Sequence, residues 1–560
     1  MAVGFLIKVL GTVAELLLPV ILTHILKNVI DDGVTPVLLW GGVMLLLAGA
    51  ACLFNIVANR MAAEVGRRFS VALRHDLFYR TLTLDTAATD AFTIPSLESR
   101  ITTDTYHVHN FVMMIQRMGV RAPILLVGGV VITLILDAAL ACVMLAVMPL
   151  IFLTVYILSR LGTRLYGNVQ TKTDGVVRVV REDFGGMRVI KALSKGEYES
   201  ARFEEKNRAL SRAEQKASFI MSSTHPVMNL LMNCGIAAVI ALAAMRVRSG
   251  TSDPETVIAF MQYFTQISMA LMAVSRMFVM YSKCSASARR ISAVLSEEST
   301  VVPKADAKAE GKAEEDALVV FRDVSFSYAG VKNDLEGVSF SLPRGGSLGV
   351  IGGTGSGKST LIKLMLRFYD ADAGEILFDG KPIRAYAREE IAPYVGVAHQ
   401  KDFLFADTVR ENVRFGRDLS DKEIWEALKT AQAEAFVRAL PDDLDTLLSA
   451  GGTNLSGGQR QRLLIARAVA ACPTLLILDD ASSALDYKTD AALRAALRQM
   501  GDTITTVTVA QRASSVMGCD RILVLDEGKP VGYGTHEELL ESCTIYREIS
   551  ESQMGGALFE

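Results

Sequence analysis

The sequence predicts a multi-domain chain, an all-α polytopic membrane domain of six helices followed by an α/β domain. Two observations carry this. Half of the 560 residues are hydrophobic and the mean hydropathy is +0.31, too apolar for an ordinary soluble protein of this length. The excess sits in roughly the first 285 residues, and the remainder reads as a soluble domain with short aliphatic strands such as Leu475–Leu478.

Crossing about 30 Å of hydrocarbon as a helix takes about 20 apolar residues. Six stretches qualify, at 4–27, 38–59, 118–137, 139–160, 225–246 and 256–281. The first, from Val3 to Leu26, reads as a membrane helix and not a cleaved signal. It is longer than a signal core, carries Glu15 mid-segment and is followed by further spans. Loops near 28–37, 138 and 247–255 are short; 60–117 and 161–224 are long, polar and helical in pattern. The long segments and their edges hold Arg60, Arg67, Arg68, Arg74, Arg80, Arg160, Arg164, Lys172, Arg178 and Arg181, while the first short loop holds Asp31 and Asp32. Excess Lys/Arg marks the cytoplasmic side, so both termini are expected inside. Each long loop can carry a transverse segment toward the soluble domain, expected at Pro95 to Thr102 and at Gly185 to Ala192.

The expected domains are 1–300 for the membrane half, 301–317 for a linker and 318–560 for the soluble half. The linker alternates Lys304, Asp306, Lys308, Glu310, Lys312, Glu314 and Glu315 with small residues, a composition that does not bury a core. A net charge of −3 gives no indication of nucleic acid. Seven scattered cysteines without a CxxC spacing read as free thiols, not as disulfides or a zinc site.

The chemistry begins where an apolar strand ends at Val350-Ile351. Gly352-Gly353-Thr354-Gly355-Ser356-Gly357-Lys358-Ser359-Thr360 follows, then the helical pattern Leu361, Ile362, Leu364, Met365, Leu366. This is GxxxxGK[ST] in its strand–loop–helix setting, a phosphate cradle for ATP. Lys358 supplies charge to the β and γ oxygens, and Ser359 offers a hydroxyl to Mg²⁺. Asp479, closing an aliphatic strand, is the expected acid of the Mg²⁺ shell. Gln400 can reach the metal and the attacking water from a loop. Tyr328, 24 positions before Gly352, is placed to stack on adenine. His399 reads as a loop residue, not a base.

With Leu455-Ser456-Gly457-Gly458-Gln459 and Ser483-Ala484-Leu485-Asp486 in their order, the chain resembles an ATP-binding cassette (ABC) exporter half-transporter over its whole length. The resemblance implies an ATPase coupled to transport, in which two cassettes sandwich two ATPs head to tail. Ser456, Gly457, Gly458 and Gln459 would then contact the γ-phosphate held by a partner chain, and Asp486 would help join the two sites. It also implies a multi-pass protein of the cell membrane, the bacterial inner membrane, embedded in a lipid bilayer with its ATPase domain in the cytoplasm.

Two positions depart from that pattern. ATP hydrolysis wants a glutamate where Asp480 stands and a histidine where Gln511 stands. A carboxylate beside the γ-phosphate must orient or deprotonate water. Asp480 sits about 1.5 Å back by ordinary bond lengths, and Gln511 cannot become cationic. Both losses fall on this chain's own site, while the groups lent in trans are intact. The chain therefore resembles the degenerate-site subunit of a heterodimeric multidrug exporter, paired with a half-transporter that carries a consensus catalytic site. A lesser departure is Ser449, where exporters often place a glutamate.

In the fifth and sixth spans Met228, Met232, Met245, Met261, Met269, Met272, Met277 and Met280 mix with Asn229, Asn233, Gln262, Gln266 and Arg276. Such flexible, polarizable surfaces suit apolar or amphipathic small molecules. Three other readings stay open: a homodimer, a dedicated exporter of lipid, peptide or siderophore, and an ATP-gated channel or regulatory ATP-binding membrane protein.

Overall fold

A computed structural model of the chain describes residues 2–249, 253–299, 301, 316–328, 330, 332–400, 402–481 and 483–554. They form two compact units, Met1–Thr83 with Thr93–Glu297, and Leu84–Phe92 with Glu298–Glu560. Most of the expected linker, 302–315, lies outside the described residues.

Among its described residues the first unit holds six helical runs long and apolar enough to cross a membrane: Ala2–Asp32, Val34–Thr83, Ile94–Leu136, Ala138–Gly185, Gly196–Arg248 and Pro254–Leu295. Five of the expected spans fall inside one of them, and the third, 118–137, runs one residue past its helix, which ends at Leu136. Their cores interlock around Leu16, Leu125, Met144, Tyr263, Phe264 and Ile267, all buried. Outward, Leu38, Leu39, Leu45 and Leu46 are exposed along one helix, as side chains bathed in lipid would be. Polar groups cross between helices where hydrocarbon would otherwise leave them unpaired. Lys8 donates to the side-chain oxygens of Asn55 (2.7 Å) and Asn59 (3.2 Å). Asn55 in turn donates to Glu15, which also accepts from Arg121 at 3.0 Å. Glu15 thus ties the first, second and third runs together.

Between spans, the helices run on far beyond any bilayer, to Thr83, Gly185 and Leu295. The first long loop differs from expectation. Pro95 lies in the first turn of a helix that begins at Ile94 and continues into the third span. Proline is favoured there because the N–H it lacks has no helical partner, so Pro95–Thr102 is the start of a long helix and not a transverse piece. The separate short helix is Thr86–Phe92, which starts where the Asp85 carboxylate accepts the Ala88 N–H at 2.8 Å. It belongs to the second unit, where Asp90 accepts a hydrogen bond from the Tyr369 hydroxyl at 2.7 Å. In the second long loop a short helix does form at Met187–Ala192, fully on the surface.

The second unit carries two sheets. Strands β1 (Ala317–Phe326), β2 (Leu335–Pro343), β4 (Ala373–Phe378) and β5 (Lys381–Pro382) make an antiparallel sheet in the order 2-1-4-5. Strands β3 (Ser347–Ile351), β6 (Val395–Ala398), β7 (Leu475–Asp479), β8 (Thr505–Val509), β9 (Arg521–Asp526) and β10 (Lys529–Gly534) make the second, in the order 10-9-3-8-7-6. The run from β9 to β6 is parallel, and strands buried on both faces read as the continuous aliphatic runs seen here. Register aligns Val350 with Val509, Val509 with Asp479, and Leu478 with Ala398. The carboxyl ends of four neighbouring strands therefore finish level, which is where parallel α/β sheets bind ligands.

Candidate nucleotide site

Each strand end delivers one functional group. After β3 comes the glycine loop, closing on the helix Lys358–Met365; after β8, Gln511; at the end of β7, Asp479 and Asp480; after β6, Gln400. All line one cavity of about 560 Å³ together with Thr354–Thr360. Residues from 31 positions apart (Asp480 and Gln511) to 157 apart (Thr354 and Gln511) are thus brought together by strand order.

Two glycines explain the loop's shape. A Cβ on Gly352 would lie 2.1 Å from the Leu525 carbonyl oxygen, so no side chain fits. Gly357, at φ 96°, would meet the Leu335 side chain and the Asp334 carbonyl below 3.0 Å. Lys358 folds its amine over the loop, donating to the carbonyl oxygens of Gly352 (2.8 Å) and Gly353 (2.6 Å). Burial lowers its pKa, and Asp480 and Asp479 partly restore it.

Asp479 and Asp480 are both held above the usual carboxylate value, chiefly by burial. Asp480 adopts φ 51°, left-handed backbone that aspartate tolerates better than most residues. Its Oδ2 accepts from the Gln400 amide at 3.0 Å and faces the Gln511 amide at 3.5 Å. The short carboxylate is pinned between two neutral amides on the same oxygen. Its remaining pull toward ionisation comes from Lys358 and Arg512.

Tyr328 is not among the residues lining this cavity. Its ring is 44% exposed, lies edge-on to Phe326 and Tyr369, and has the Lys363 amine 4.9 Å from its centre. One face of the ring therefore carries a cation. The His399 ring lies 6.3 Å from that of Phe368, as expected of a loop residue.

The segment Ser456–Gln459 lies outside the cavity. Ser456 caps the helix Gly457–Val469: its Oγ accepts from the Gln459 N–H while the Gln459 side chain accepts from the Ser456 N–H at 2.9 Å. This reciprocal cap leaves Gly457 with open space around it. Gly458 packs so closely that a Cβ would lie 3.1 Å from the Ala484 carbonyl. Asp486 likewise caps its own helix, accepting from the Thr489 N–H and hydroxyl. Ser449 is exposed, with its N–H bonded to Asn454.

The reading of the sequence missed Lys332, Asn333, Asp334, Glu527 and Gly528, which line the cavity's rim. Glu527-Gly528 joins β9 to β10 as a two-residue turn with both φ positive, 45° and 84°. Glu-Gly between alternating strands is a legible turn signal, but nothing local says that the turn faces a phosphate loop.

Residues 1–271 match the family model for the ABC transporter transmembrane region, and residues 335–483 match the model described as ABC transporter. An uncharacterized ABC transporter ATP-binding protein of Mycobacterium tuberculosis is 35% identical over 99% of this chain and 95% of its own length. The chain belongs to the ABC transporter family. A second uncharacterized ABC transporter ATP-binding protein, from Bacillus subtilis, is 33% identical over 95% of this chain and 93% of its own length. Among solved structures, a bacterial Atm1-family ABC exporter with ATP bound superposes with a TM-score of 0.83 at 24% identity, covering 98% of this chain and 97% of that one. The chain is an ABC half-transporter with the exporter fold, a multi-pass membrane protein whose cassette couples ATP hydrolysis to transport.

Proposed function

We propose that this ABC half-transporter is the degenerate-site half of an asymmetric exporter. It pairs with a different half-transporter whose own catalytic site is intact, and moves apolar or amphipathic small molecules out across the cell membrane. The cassette works from the cytoplasm. The observation that carries the reading is Asp480, a methylene short, left-handed in backbone and bonded to Gln400 and Gln511 through one oxygen. Water beside a γ-phosphate would find a base that is withdrawn and already engaged, with no imidazole opposite.

Binding needs less than hydrolysis, and the binding groups are complete. Thr354 to Thr360 offer N–H groups and Lys358 a charge, while the part-exposed ring of Tyr328 would stack on adenine. The oxygens of Ser359, Gln400 and Asp479 suit Mg²⁺, a hard cation that takes one or two carboxylates with hydroxyl and phosphate oxygens. Gln400 spends its amide N–H on Asp480 and keeps its carbonyl oxygen for such a role. When bound, Mg²⁺ supplies charge neutralisation to the phosphates. ATP held here bridges the two cassettes through the partner's signature helix. Ser456, Gly457, Gly458 and Gln459 do the same for the partner's ATP, with the exposed, capped N-terminus of Gly457–Val469 facing the phosphate. Asp486, capping the next helix, holds the segment between the two sites in shape.

Paired substitutions in the assembled transporter test this. Asp480→Asn is expected to leave most ATPase activity, whereas Ser456→Ala, which touches nothing at this chain's own site, is expected to remove most of it. A symmetric homodimer would lose activity heavily from both, and that outcome would refute the proposal.

A further inference from the structure

The first unit contains a cleft of about 470 Å³ between the helices Ala138–Gly185 and Pro254–Leu295. Phe152, Tyr156 and Arg160 follow one another at four-residue steps and so share a helix face. Across the cleft the pairs Phe278 with Ser282 and Val279 with Lys283 are each one such step apart. The aromatic side chains are strongly exposed, Phe152 at 47%, Tyr156 at 54% and Phe278 at 66%. Among the described residues no acidic side chain lines the cleft. Among the described residues, neither Arg160 nor Lys283 forms an ion pair or hydrogen bond. Arg160 closes the apolar run 139–160 and Lys283 follows the run 256–281, so both cations stand at the same end of their spans. There they meet the membrane boundary, with the aromatic wall reaching inward from them.

We propose that this cleft binds an amphipathic organic anion as transport substrate, its apolar body along Phe152, Tyr156 and Phe278 and its carboxylate or sulfonate between Arg160 and Lys283. The inference rests on the exporter reading above and narrows its substrate class from amphipathic molecules to anionic ones. The volume is that of a site for a drug-sized ligand. Among the described residues the charges have no counter-ion, and an aromatic wall capped by two cations recognises one sign of head group. An isolated long cation at a span end normally snorkels to the interface; two of them converging on one apolar cleft make a site.

The test uses the full-length transporter in nanodiscs of neutral phosphatidylcholine, with dansyl-undecanoic acid as probe and its methyl ester as the uncharged control. The acid is expected to bind more tightly than the ester. The Arg160→Gln/Lys283→Gln double variant should weaken the acid about tenfold, two partly exposed charges being worth about that much, and leave the ester unchanged. Arg160→Lys should keep acid binding, and Phe278→Ala should weaken both probes. Retained ATP binding in each variant reports folding. Equal affinity for acid and ester, or a double variant that binds the acid normally, overturns the proposal. A third arm adds phosphatidylglycerol to the nanodiscs. Complete displacement of the acid would make the cleft a boundary-lipid site and also overturn it. Probe binding is read without hydrolysis, so an asymmetric-site failure and a cleft failure remain separate results.

Discussion

Lengthening Asp480 to glutamate is the sharpest perturbation of the degenerate site. Adding one methylene carries the carboxylate forward about 1.5 Å, and a displacement of that size changes a rate by about a hundredfold. That corresponds to about 2.7 kcal/mol of barrier at about 1.4 kcal/mol per tenfold. Two features of the site reduce the gain. The Gln400 amide now bonded to Oδ2 at 3.0 Å must find the carboxylate again, and Gln511 still lacks the charge of a histidine. The expected increase at this site is therefore about tenfold to a hundredfold for Asp480→Glu, and more when Gln511→His is added. Position 480 stands at φ 51°, where glutamate is less at ease than aspartate. A strain of about 1 kcal/mol would lower the melting temperature by about 2–4 °C for a domain of this size. The assay is single-turnover ATP hydrolysis by the assembled transporter with the partner's catalytic residue replaced. If Asp480→Glu is no faster than the unaltered chain, side-chain reach at 480 does not limit this site and the reasoning fails.

Two further predictions concern the second unit. Burial raises Asp480 above its ordinary 3.8. A carboxylate raised on folding contributes stability that is fully present below 3.8 and lost as pH rises through the raised folded value. The nucleotide-free Asp480→Asn variant should therefore melt higher than the unaltered chain at neutral pH, and the difference should shrink as pH falls toward 3.8; a difference that grows on acidification contradicts the assignment. Tyr369→Phe removes the hydroxyl bonded to Asp90 of the Thr86–Phe92 helix. Nucleotide affinity should stay unchanged while substrate-stimulated ATPase activity falls by about ten- to a hundredfold, the worth of one hydrogen bond to a charged group; full stimulation would mean that this helix transmits nothing through Tyr369.

Where the sequence was legible, one local pattern decided the structure. The glycine loop between β3 and its helix, the aliphatic strand ending at Asp479, and the apolar cores of six spans each needed only neighbours close in sequence. The long helices beyond the spans were legible in kind but not in extent, because a hydropathy window stops at the bilayer while the backbone hydrogen bonds continue to Thr83 and Gly185. The segment expected at Pro95 to Thr102 is instead a helix start, as Pro95 in the first turn marks. The better signal was Asp85, a capping residue just before Thr86–Phe92. At the nucleotide site, the residue types were readable but their joint geometry was not. The pinning of Asp480 by Gln400 and Gln511 spans 80 and 31 residues and depends on the order of β3, β8, β7 and β6. The departure of Tyr328 from the phosphate cavity, and the arrival of Glu527-Gly528 at it, are tertiary facts of the same kind.

The central claim is that this chain holds ATP while its partner spends it. Nucleotide identity at each site after brief turnover, read by trapping or by a structure under turnover conditions, tests it directly. The account predicts ATP persisting against Lys358 and Asp480 while ADP accumulates at the partner's site. Finding ADP equally often at both would contradict it and make this chain an ordinary working half.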